Sequence, residues 1–197
     1  MHQRIAFLDF DGTITTKDTL LEFIKFSKGK FRFYLGFLLQ SPWLFAFKAG
    51  IISNQAAKER VLRWFFRNIP TTRFEEYCRE FTMQALPALI RPKAVREIAR
   101  LQQQGFTVVI VSASPENWIR PWADQVQAQL IATQLVTKDD TMTGSILGRN
   151  CYGEEKVNRI REQFNLPDYT EIYAYGDSSG DRQMLELAGI SFYQPFR

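Results

Sequence analysis

The stretch IAFLDFDGT, residues 5–13, runs from an apolar segment into two carboxylates and then turns at a glycine. Because side chains alternate faces along a strand, Asp9 and Asp11 are predicted to project on the same side of a sheet edge, ~6–7 Å apart. Two anions this close repel each other unless a divalent cation lies between them or one carboxyl stays protonated for acid–base work. Both explanations indicate an active site, whereas a purely structural alternative has both aspartates capping the following turn and helix.

Strand-like and helix-like segments alternate through the second half of the chain. Four apolar runs resemble buried strands, at residues 106–111, 130–136, 171–175 and 190–193. Helical patterns separate them at residues 93–104, 115–126, 154–164 and 182–187. The alternation predicts an α/β fold with right-handed crossovers, a parallel sheet and helices on both faces. Residues 137–146, with Gly144, predict a hairpin between short strands.

Residues 16–92 interrupt this alternation because they contain helical patterns and no convincing strand. We therefore predict a core formed by residues 1–15 and 93–197, with residues 16–92 inserted as a helical cap. The insertion directly follows the first strand, so it is expected to cover Asp9, exclude water and shape a substrate pocket.

An aromatic segment, residues 31–47, stands out within the predicted cap because it holds seven aromatic side chains. Its uncharged run of residues 33–47 includes Pro42 and is shorter than the ~18–20 apolar residues that a bilayer span requires. One interpretation is the buried core of the cap. The alternative is a surface that contacts a membrane, a hydrophobic substrate or a protein partner.

Composition limits the function classes. The chain has 197 residues, 45% of them hydrophobic, which is enough for one core and a small accessory lobe. Its net charge of +4 comes from scattered lysines and arginines, which argues against nucleic acid and suits an anionic small substrate or an acidic membrane surface. Cys78 and Cys151 lack metal-type spacing, and no secretory pattern precedes Ile5, so we expect a cytoplasmic protein without zinc or disulfides.

The predicted strand at residues 106–111 is followed by SASP, residues 112–115, where a helix begins. Oriented backbone amides and a hydroxyl at such a helix start can hold a phosphate oxygen. Ser114, next to Pro115, is predicted to be the helix cap. This leaves Ser112 and the backbone at Ala113 as candidates for binding phosphate.

The predicted strand at residues 171–175 is followed by GDSSGD, residues 176–181, which adds two more carboxylates at the same edge of the sheet. Magnesium prefers one or two carboxylates together with water and phosphate oxygens, so Asp177 with Asp9 predicts a Mg2+ site and Asp181 lies beside it. Lys156 begins a helix after Gly153, although the helix dipole prefers anions there. A phosphoryl group or Asp9 itself is expected to hold this lysine in place.

Four segments in this order resemble the haloacid dehalogenase superfamily: Asp9-x-Asp11-Gly-Thr, Ser112, Lys156 and Gly-Asp177-x-x-x-Asp181. The helical insertion resembles the cap of its phosphoserine-phosphatase-like branch, subfamily IB. The resemblance implies a Rossmann-like core and a Mg2+-dependent reaction.

In that reaction Asp9 attacks phosphorus and forms an aspartyl phosphate, while Asp11 serves as acid and then as base. Lys156 and Ser112 would stabilise the transferring group. Asp9, Asp177 and Asp181 would hold the metal, with Asp11 contributing mainly through its backbone carbonyl. No step requires the only histidine, His2.

Three departures from the phosphoserine-phosphatase pattern bear on the substrate. Asp18 replaces a cap glutamate that holds the substrate amino group, and it could equally be the N-cap of the first cap helix. Arg60 is the loosely aligned counterpart of the cap arginine that grips the substrate carboxylate. Gly180 stands where the family has an asparagine.

We therefore expect a phosphomonoesterase that acts on a small phosphorylated metabolite, phosphoserine-like or related. The aromatic segment and the stretch at 150–156 also resemble phosphatidylglycerophosphate phosphatases, so a lipid-head-group phosphatase is one alternative. A phosphotransferase would use the same intermediate. From a different class, the chain could be a protein that docks on a membrane or partner without catalysis.

Overall fold

The computed structural model describes residues 3–197. His2 therefore lies outside the described residues. Seven strands are present in this range: β1 (Gln3–Leu8), β2 (Phe106–Pro115), β3 (Gln129–Thr133), β4 (Leu135–Lys138), β5 (Thr141–Ile146), β6 (Tyr169–Gly176) and β7 (Ile190–Tyr193). Eight α-helices accompany them: α1 (Thr19–Lys28), α2 (Lys30–Lys48), α3 (Asn54–Phe66), α4 (Thr71–Gln84), α5 (Pro92–Gln103), α6 (Glu116–Gln125), α7 (Glu154–Gln163) and α8 (Arg182–Glu186).

Five strands form one parallel sheet in the order β3-β2-β1-β6-β7. Leu8, at the end of the central strand, lies opposite Ile110 on one side and Tyr175 on the other. The carboxyl ends of β1, β2 and β6 therefore meet at one edge of the sheet. The prediction of an α/β fold with a parallel sheet is confirmed.

The central strand is buried on both faces, which explains its unbroken apolar sequence. Ile5 and Phe7 pack into one cluster with residues of α7 and α8. Ala6 and Leu8 point to the opposite face and belong to a larger cluster that includes α5 and α6. Because these side chains alternate with a period of two, helices cover the sheet on both sides.

The predicted strand at 130–136 is wrong in its extent. The chain leaves the sheet after Thr133, and β4 begins at Leu135 as part of an antiparallel hairpin with β5. The apolar run continues across this change of partner, so periodicity alone could not show it. The hairpin also reaches the helical insertion, because the amide of Asn68 donates to the carbonyl of Met142.

Helices α1 to α4, which we call the helical cap, lie between β1 and β2 in the chain. Phe23 of α1 is fully buried and packs against rings from three other helices, namely Phe66, Phe74, Phe81 and Trp118. Since Trp118 belongs to α6, this aromatic cluster joins the cap to the rest of the molecule.

Helix α2 does not form the buried core that was one interpretation of the aromatic segment. Only Phe33, Gly36 and Gln40 are buried along its described inner face, with Phe37 half-buried. Most of its other described aromatic and aliphatic side chains face solvent. No helix in residues 3–197 combines the length and apolar character needed to cross a bilayer.

Candidate active site

The site begins in the loop that follows β1. Asp9 comes directly after the strand, and its amide donates to the carbonyl of Tyr175 on the neighbouring strand. The chain then turns at Gly12, whose φ is +82°. A Cβ atom on Gly12 would lie 2.5 Å from Oδ2 of Asp177, so only glycine permits this close approach. The expectation that strand alternation orients both aspartates is wrong, because β1 ends at Leu8 and the turn orients Asp11.

Lys156 connects the carboxylates at the sheet edge. Its buried Nζ donates to Oδ1 of Asp9 at 2.5 Å, to Oδ1 of Asp181 at 2.6 Å and to the carbonyl of Val111 at 2.9 Å. All three ammonium protons therefore have acceptors. The unusual position of a lysine at the start of α7 is explained by these partners, which outweigh the helix dipole.

Burial and charge act in opposite directions on this cluster. Burial raises the pKa of Asp9 to about 7, Lys156 opposes that shift and Asp181 adds to it. For Lys156, burial alone lowers the pKa, but the charges of Asp9 and Asp181 outweigh it and raise the pKa. Burial also raises the pKa of Asp181, yet contact with Lys156 brings it below its ordinary value.

Three carboxylates are close enough to share one metal ion. Asp9, Asp177 and Asp181 each offer an oxygen, and these oxygens lie within 4.8 Å of one another. Oδ2 of Asp181 is fixed by the amide and the hydroxyl of Ser178, at 3.0 and 2.8 Å. Arg197 contacts Asp177 at 2.6 Å, which partly balances the negative charge. A compact set of oxygen donors fits a hard divalent cation such as Mg2+.

The fourth carboxylate, Asp11, faces the cap instead of the other three. Its Oδ1 accepts from the amide of Thr19 at 2.6 Å, and its Oδ2 is 3.4 Å from the hydroxyl of Ser112. The Asp11 side chain is therefore not a member of the carboxylate trio. A metal contact through its backbone carbonyl stays a prediction.

Ser112 is fully buried at the end of β2, where its hydroxyl also accepts from the amide of Ser114 at 3.0 Å. The prediction that Ser114 caps α6 is wrong. Strand β2 continues to Pro115, which is itself the N-cap, and the Ser114 hydroxyl accepts from Thr19 at 3.3 Å. Phosphate binding by Ser112 and Ala113 stays a prediction.

The two cap residues singled out from the sequence have different positions. Asp18 is the N-cap of α1, accepting from the amide of Leu21 at 3.1 Å, and it also lines the cleft above the carboxylates. Arg60 does not line that cleft. Its Nε donates to Gln40 at 2.7 Å and its guanidinium lies 3.8 Å from the centre of the Trp43 ring. The expected role of Arg60 in gripping substrate therefore does not fit this geometry.

Lys58 is a cation of α3 that lines the cleft, together with Lys17 from the loop before α1, and sequence reasoning missed it. Its Nζ donates to the carbonyl of Ala113 at 2.9 Å and to Oδ1 of Asn150 at 3.2 Å. Burial lowers the pKa of Lys58, and the negative charges of Asp11 and Asp18 oppose this shift. Two residues along a helix correspond to ~200° of rotation, so Lys58 and Arg60 lie on opposite faces of α3.

The spacing of Asn54 and Lys58 on the same helix is a sequence pattern that indicates which side of α3 faces the core. Asn54 lies four residues before Lys58, and the two are therefore neighbours on one face of α3. Oδ1 of Asn54 accepts from Nδ2 of Asn150 at 2.7 Å. Two polar residues at this spacing, both bonded to Asn150, hold the cap against the loop that precedes α7.

The cleft between the sheet edge and the cap has a volume of about 400 Å³. This is large enough for a small metabolite. Gly180 borders the site where a side chain would not fit, because a Cβ atom there would lie 2.3 Å from the ring of Tyr152, which lines the cleft. The ring of Tyr152 therefore leaves no room for an asparagine side chain at position 180.

A parallel sheet that gathers carboxylates and a buried lysine beneath a helical cap defines a hydrolase whose chemistry occurs between sheet and cap. The chain belongs to the haloacid dehalogenase-like hydrolase family, which it matches over residues 6–186. The superfamily predicted from the four segments is confirmed.

Among relatives, the CicA protein of Caulobacter vibrioides is 37% identical over 195 residues, covering 98% of this chain and 86% of its own. A protein described as a probable phosphatase of Mycobacterium tuberculosis is 31% identical over 194 residues, covering 93% of this chain and 66% of its own.

Solved structures show the same fold. A Bordetella pertussis protein of unknown function has a TM-score of 0.86 and 22% identity, covering 97% of this chain and 89% of its own. A phosphoserine phosphatase, solved as an analogue of its phospho-aspartyl intermediate, has a TM-score of 0.64 and 20% identity over 97% and 86% of the two chains. At these identities the likeness concerns the fold.

Proposed function

We propose that this hydrolase is a Mg2+-dependent phosphatase that cleaves phosphomonoesters through an aspartyl phosphate on Asp9. The observation that carries the proposal is the placement of four carboxylates at one sheet edge, three of them clustered beside a buried lysine. Lys156 gathers Asp9 and Asp181 beside Asp177, while Asp11 points towards the cap. The description of the mycobacterial relative as a probable phosphatase supports the same activity.

The two roles of the DxD pair follow from their different surroundings. Lys156 holds Oδ1 of Asp9, which leaves the second oxygen free to attack phosphorus. A bond forms between that oxygen and phosphorus as the bond from phosphorus to the leaving alcohol breaks. Protonated Asp11 gives its proton to the departing alkoxide.

Asp11 then takes a proton from water, whose oxygen attacks the phosphorus of the aspartyl phosphate. The Asp9–phosphorus bond breaks, inorganic phosphate leaves and the Asp9 carboxylate is restored. Lys156 remains next to the transferring group throughout and stabilises its negative charge. Bound Mg2+, held by Asp9, Asp177 and Asp181, would neutralise phosphoryl charge.

The substrate in this proposal is a small phosphorylated metabolite whose organic part lies against the cap. Asp18 offers a negative group and Lys58 a positive one at the cleft. This pair suits a zwitterionic molecule such as a phosphorylated amino acid, with Lys58 taking the role first expected of Arg60. A lipid head group is the second candidate, favoured by the exposed apolar side chains of α2.

Turnover of p-nitrophenyl phosphate, measured with Mg2+ and with excess chelator, tests the activity. We expect hydrolysis that depends on Mg2+ and is lost in Asp9→Asn. The matched control is Asp124→Asn, because Asp124 is an exposed aspartate on α6, remote from the cleft lining. Turnover by Asp9→Asn equal to that of the control would refute the mechanism.

A panel of phosphorylated amino acids, sugars, nucleotides and lipid head groups then ranks the substrates. The same reactions with added alcohol acceptors distinguish hydrolysis from phosphoryl transfer. A phosphatase releases inorganic phosphate in the same amount as the alcohol product, whatever acceptor is present.

A further inference from the structure

Helix α2 presents an apolar surface to solvent along its whole length. We call this surface, together with Ile51 shortly after the end of the helix, the α2 face. Its most exposed side chains are Phe31 at 79%, Phe45 and Ile51 at 75%, Leu38 at 69% and Tyr34 at 65% of full exposure. Single exposed apolar residues are ordinary on protein surfaces, but a contiguous stretch of this kind marks an interaction site.

The opposite side of α2 is firmly packed, so the orientation of the helix is fixed. Phe33, Gly36 and Gln40 are buried against the cap. Gly36 allows the closest approach, since a Cβ atom there would lie 2.4 Å from the ring of Phe65 and 2.8 Å from Trp64 on α3. The helix therefore lies flat along α3 with its apolar side outward.

Cations predominate around the α2 face, where Glu22 pairs with Lys25. No aspartate or glutamate occurs between Glu22 and Glu59, whereas six cations do. Five of the six lie before, within or at the end of the helix, namely Lys25, Lys28, Lys30, Arg32 and Lys48. An apolar face bounded at both ends by cations matches the boundary of a membrane whose head groups are anionic.

A groove beside the helix extends this positive character. It has a volume of about 440 Å³ and lies between α2 and α3, lined by Trp43, Trp64, Arg60, Arg63 and Arg67. Glu59 is also present there and pairs with Arg63 at 2.8 Å. Tryptophan and arginine together suit the depth at which lipid phosphates meet the acyl chains.

We propose that the α2 face docks on the surface of an anionic phospholipid bilayer. Helix α2 lies in the plane of the membrane, its apolar side chains enter the acyl boundary and the flanking cations contact lipid phosphates. Self-association through the same face is disfavoured, because two copies would bring their cationic ends together. The inference stands whether or not the protein hydrolyses phosphate esters.

Co-sedimentation with vesicles tests this docking. One set of vesicles contains phosphatidylglycerol mixed with phosphatidylcholine and the other contains phosphatidylcholine alone. We expect binding to the anionic vesicles that weakens at high salt, and at least tenfold less bound protein on the neutral ones. Equal binding to both vesicle types, or no binding to either, would overturn the proposal.

A matched pair of variants locates the contact. Leu38→Asp and Met83→Asp introduce the same charge at equally exposed helical positions, both at 69%, but Met83 belongs to α4. Leu38→Asp with Phe45→Asp should reduce binding to anionic vesicles by about tenfold or more, and Met83→Asp with Leu147→Asp should leave it within about twofold. Equal losses would place the contact elsewhere.

Analytical ultracentrifugation without lipid tests the alternative that a second copy of this chain covers the α2 face. We expect a monomer for the unmodified protein and for both double variants. A dimer that dissociates only in the Leu38→Asp/Phe45→Asp variant would show that a second copy covers the α2 face, and it would refute the lipid proposal. Far-ultraviolet circular dichroism of each variant shows whether it has folded before either measurement is interpreted.

Discussion

The sheet edge buries ionisable side chains, and the α2 face exposes apolar ones, and both placements are normally unfavourable. Only at the sheet edge do other groups of the same molecule compensate for the unfavourable placement. At the sheet edge, ionisable groups are buried, and Lys156 satisfies its charge with Asp9, Asp181 and a backbone carbonyl. On the α2 face, apolar groups contact water and no described residue covers them.

This difference separates two kinds of functional surface. In the proposed function the sheet edge would act with a small ligand and a metal ion alone, because its groups are already oriented by one another. The α2 face is complete only when something outside the chain covers it.

The largest expected effect comes from removing the cation of the sheet edge. Lys156→Met leaves Asp9 and Asp181 buried without their partner, so we expect a loss of about 3–5 kcal/mol in the free energy of unfolding. Lys93→Met, at an exposed position on α5, should change it by no more than about 0.5 kcal/mol. Urea denaturation of both variants measures the difference, and similar values would show that the buried pairing does not stabilise the site.

A second prediction distinguishes Lys58 from Arg60, two cations of α3. Lys58→Gln removes one charged hydrogen-bonding group at the cleft, worth ~1.5–3 kcal/mol, so kcat/KM should fall by about 10- to 100-fold. Arg60→Gln changes a residue that stacks on Trp43 outside the cleft, and kcat/KM should stay within about twofold. The reverse ranking would mean that the cap rotates to present Arg60 to the substrate.

Packing provides a third comparison, between the inner and outer sides of α2. Gly36→Val forces a side chain against Phe65, so the free energy of unfolding should fall by about 1–3 kcal/mol. Leu39→Val alters an exposed position on the same helix and should cost no more than about 0.5 kcal/mol. If thermal and urea denaturation show equal stability for both, α2 is not anchored along α3.

The smallest expected effect concerns Asp18. Desolvation in the cleft and the charge of Asp11 raise its pKa from 3.8 to about 6, opposed by the hydrogen bond from Leu21. A raised carboxyl pKa means that the folded state binds the proton more tightly, so the ionised form costs stability above pH ~6 and the cost disappears below 3.8.

Asp18→Asn keeps an N-cap oxygen and removes that charge. We expect its Tm to exceed that of the unmodified protein by no more than about 3 °C above pH 6, because Asp18 is an exposed residue and solvent screens its charge. Below pH 3.8 the two Tm values should converge. Asp124→Asn, tested alongside, should show no such dependence, and a Tm deficit of Asp18→Asn above pH 6 would contradict the assignment.

The strand ends could be predicted from the sequence because two independent signals coincide there. Fully buried parallel strands are continuous apolar runs, and the carboxylates and glycines that follow mark where each strand ends. Asp9, Asp177 and Asp181 therefore come together as expected, and Lys156 joins them. These contacts depend on the order of the strands, which the alternation of elements largely determines.

The cap was harder because its contacts depend on helix phase. The sequence predicts Arg60 at the cleft, whereas the structure places Lys58 there, two residues earlier and on the other side of α3. The exposure of α2 was also undetermined, since an apolar helix suits both a buried core and an interaction surface. The hairpin predicted at residues 137–146 is present as β4 and β5, but its first strand begins earlier, at Leu135, because it continues the apolar run of β3.

Chemical trapping of the phosphoenzyme tests the central claim most directly. The enzyme is mixed with substrate and Mg2+, quenched in acid, reduced with borohydride and digested for mass spectrometry. A phosphorylated aspartate is converted to homoserine by this treatment, and we predict homoserine at position 9 only when substrate is present. Homoserine at position 11, or full turnover with an unmodified Asp9 at every quench time, would contradict the account.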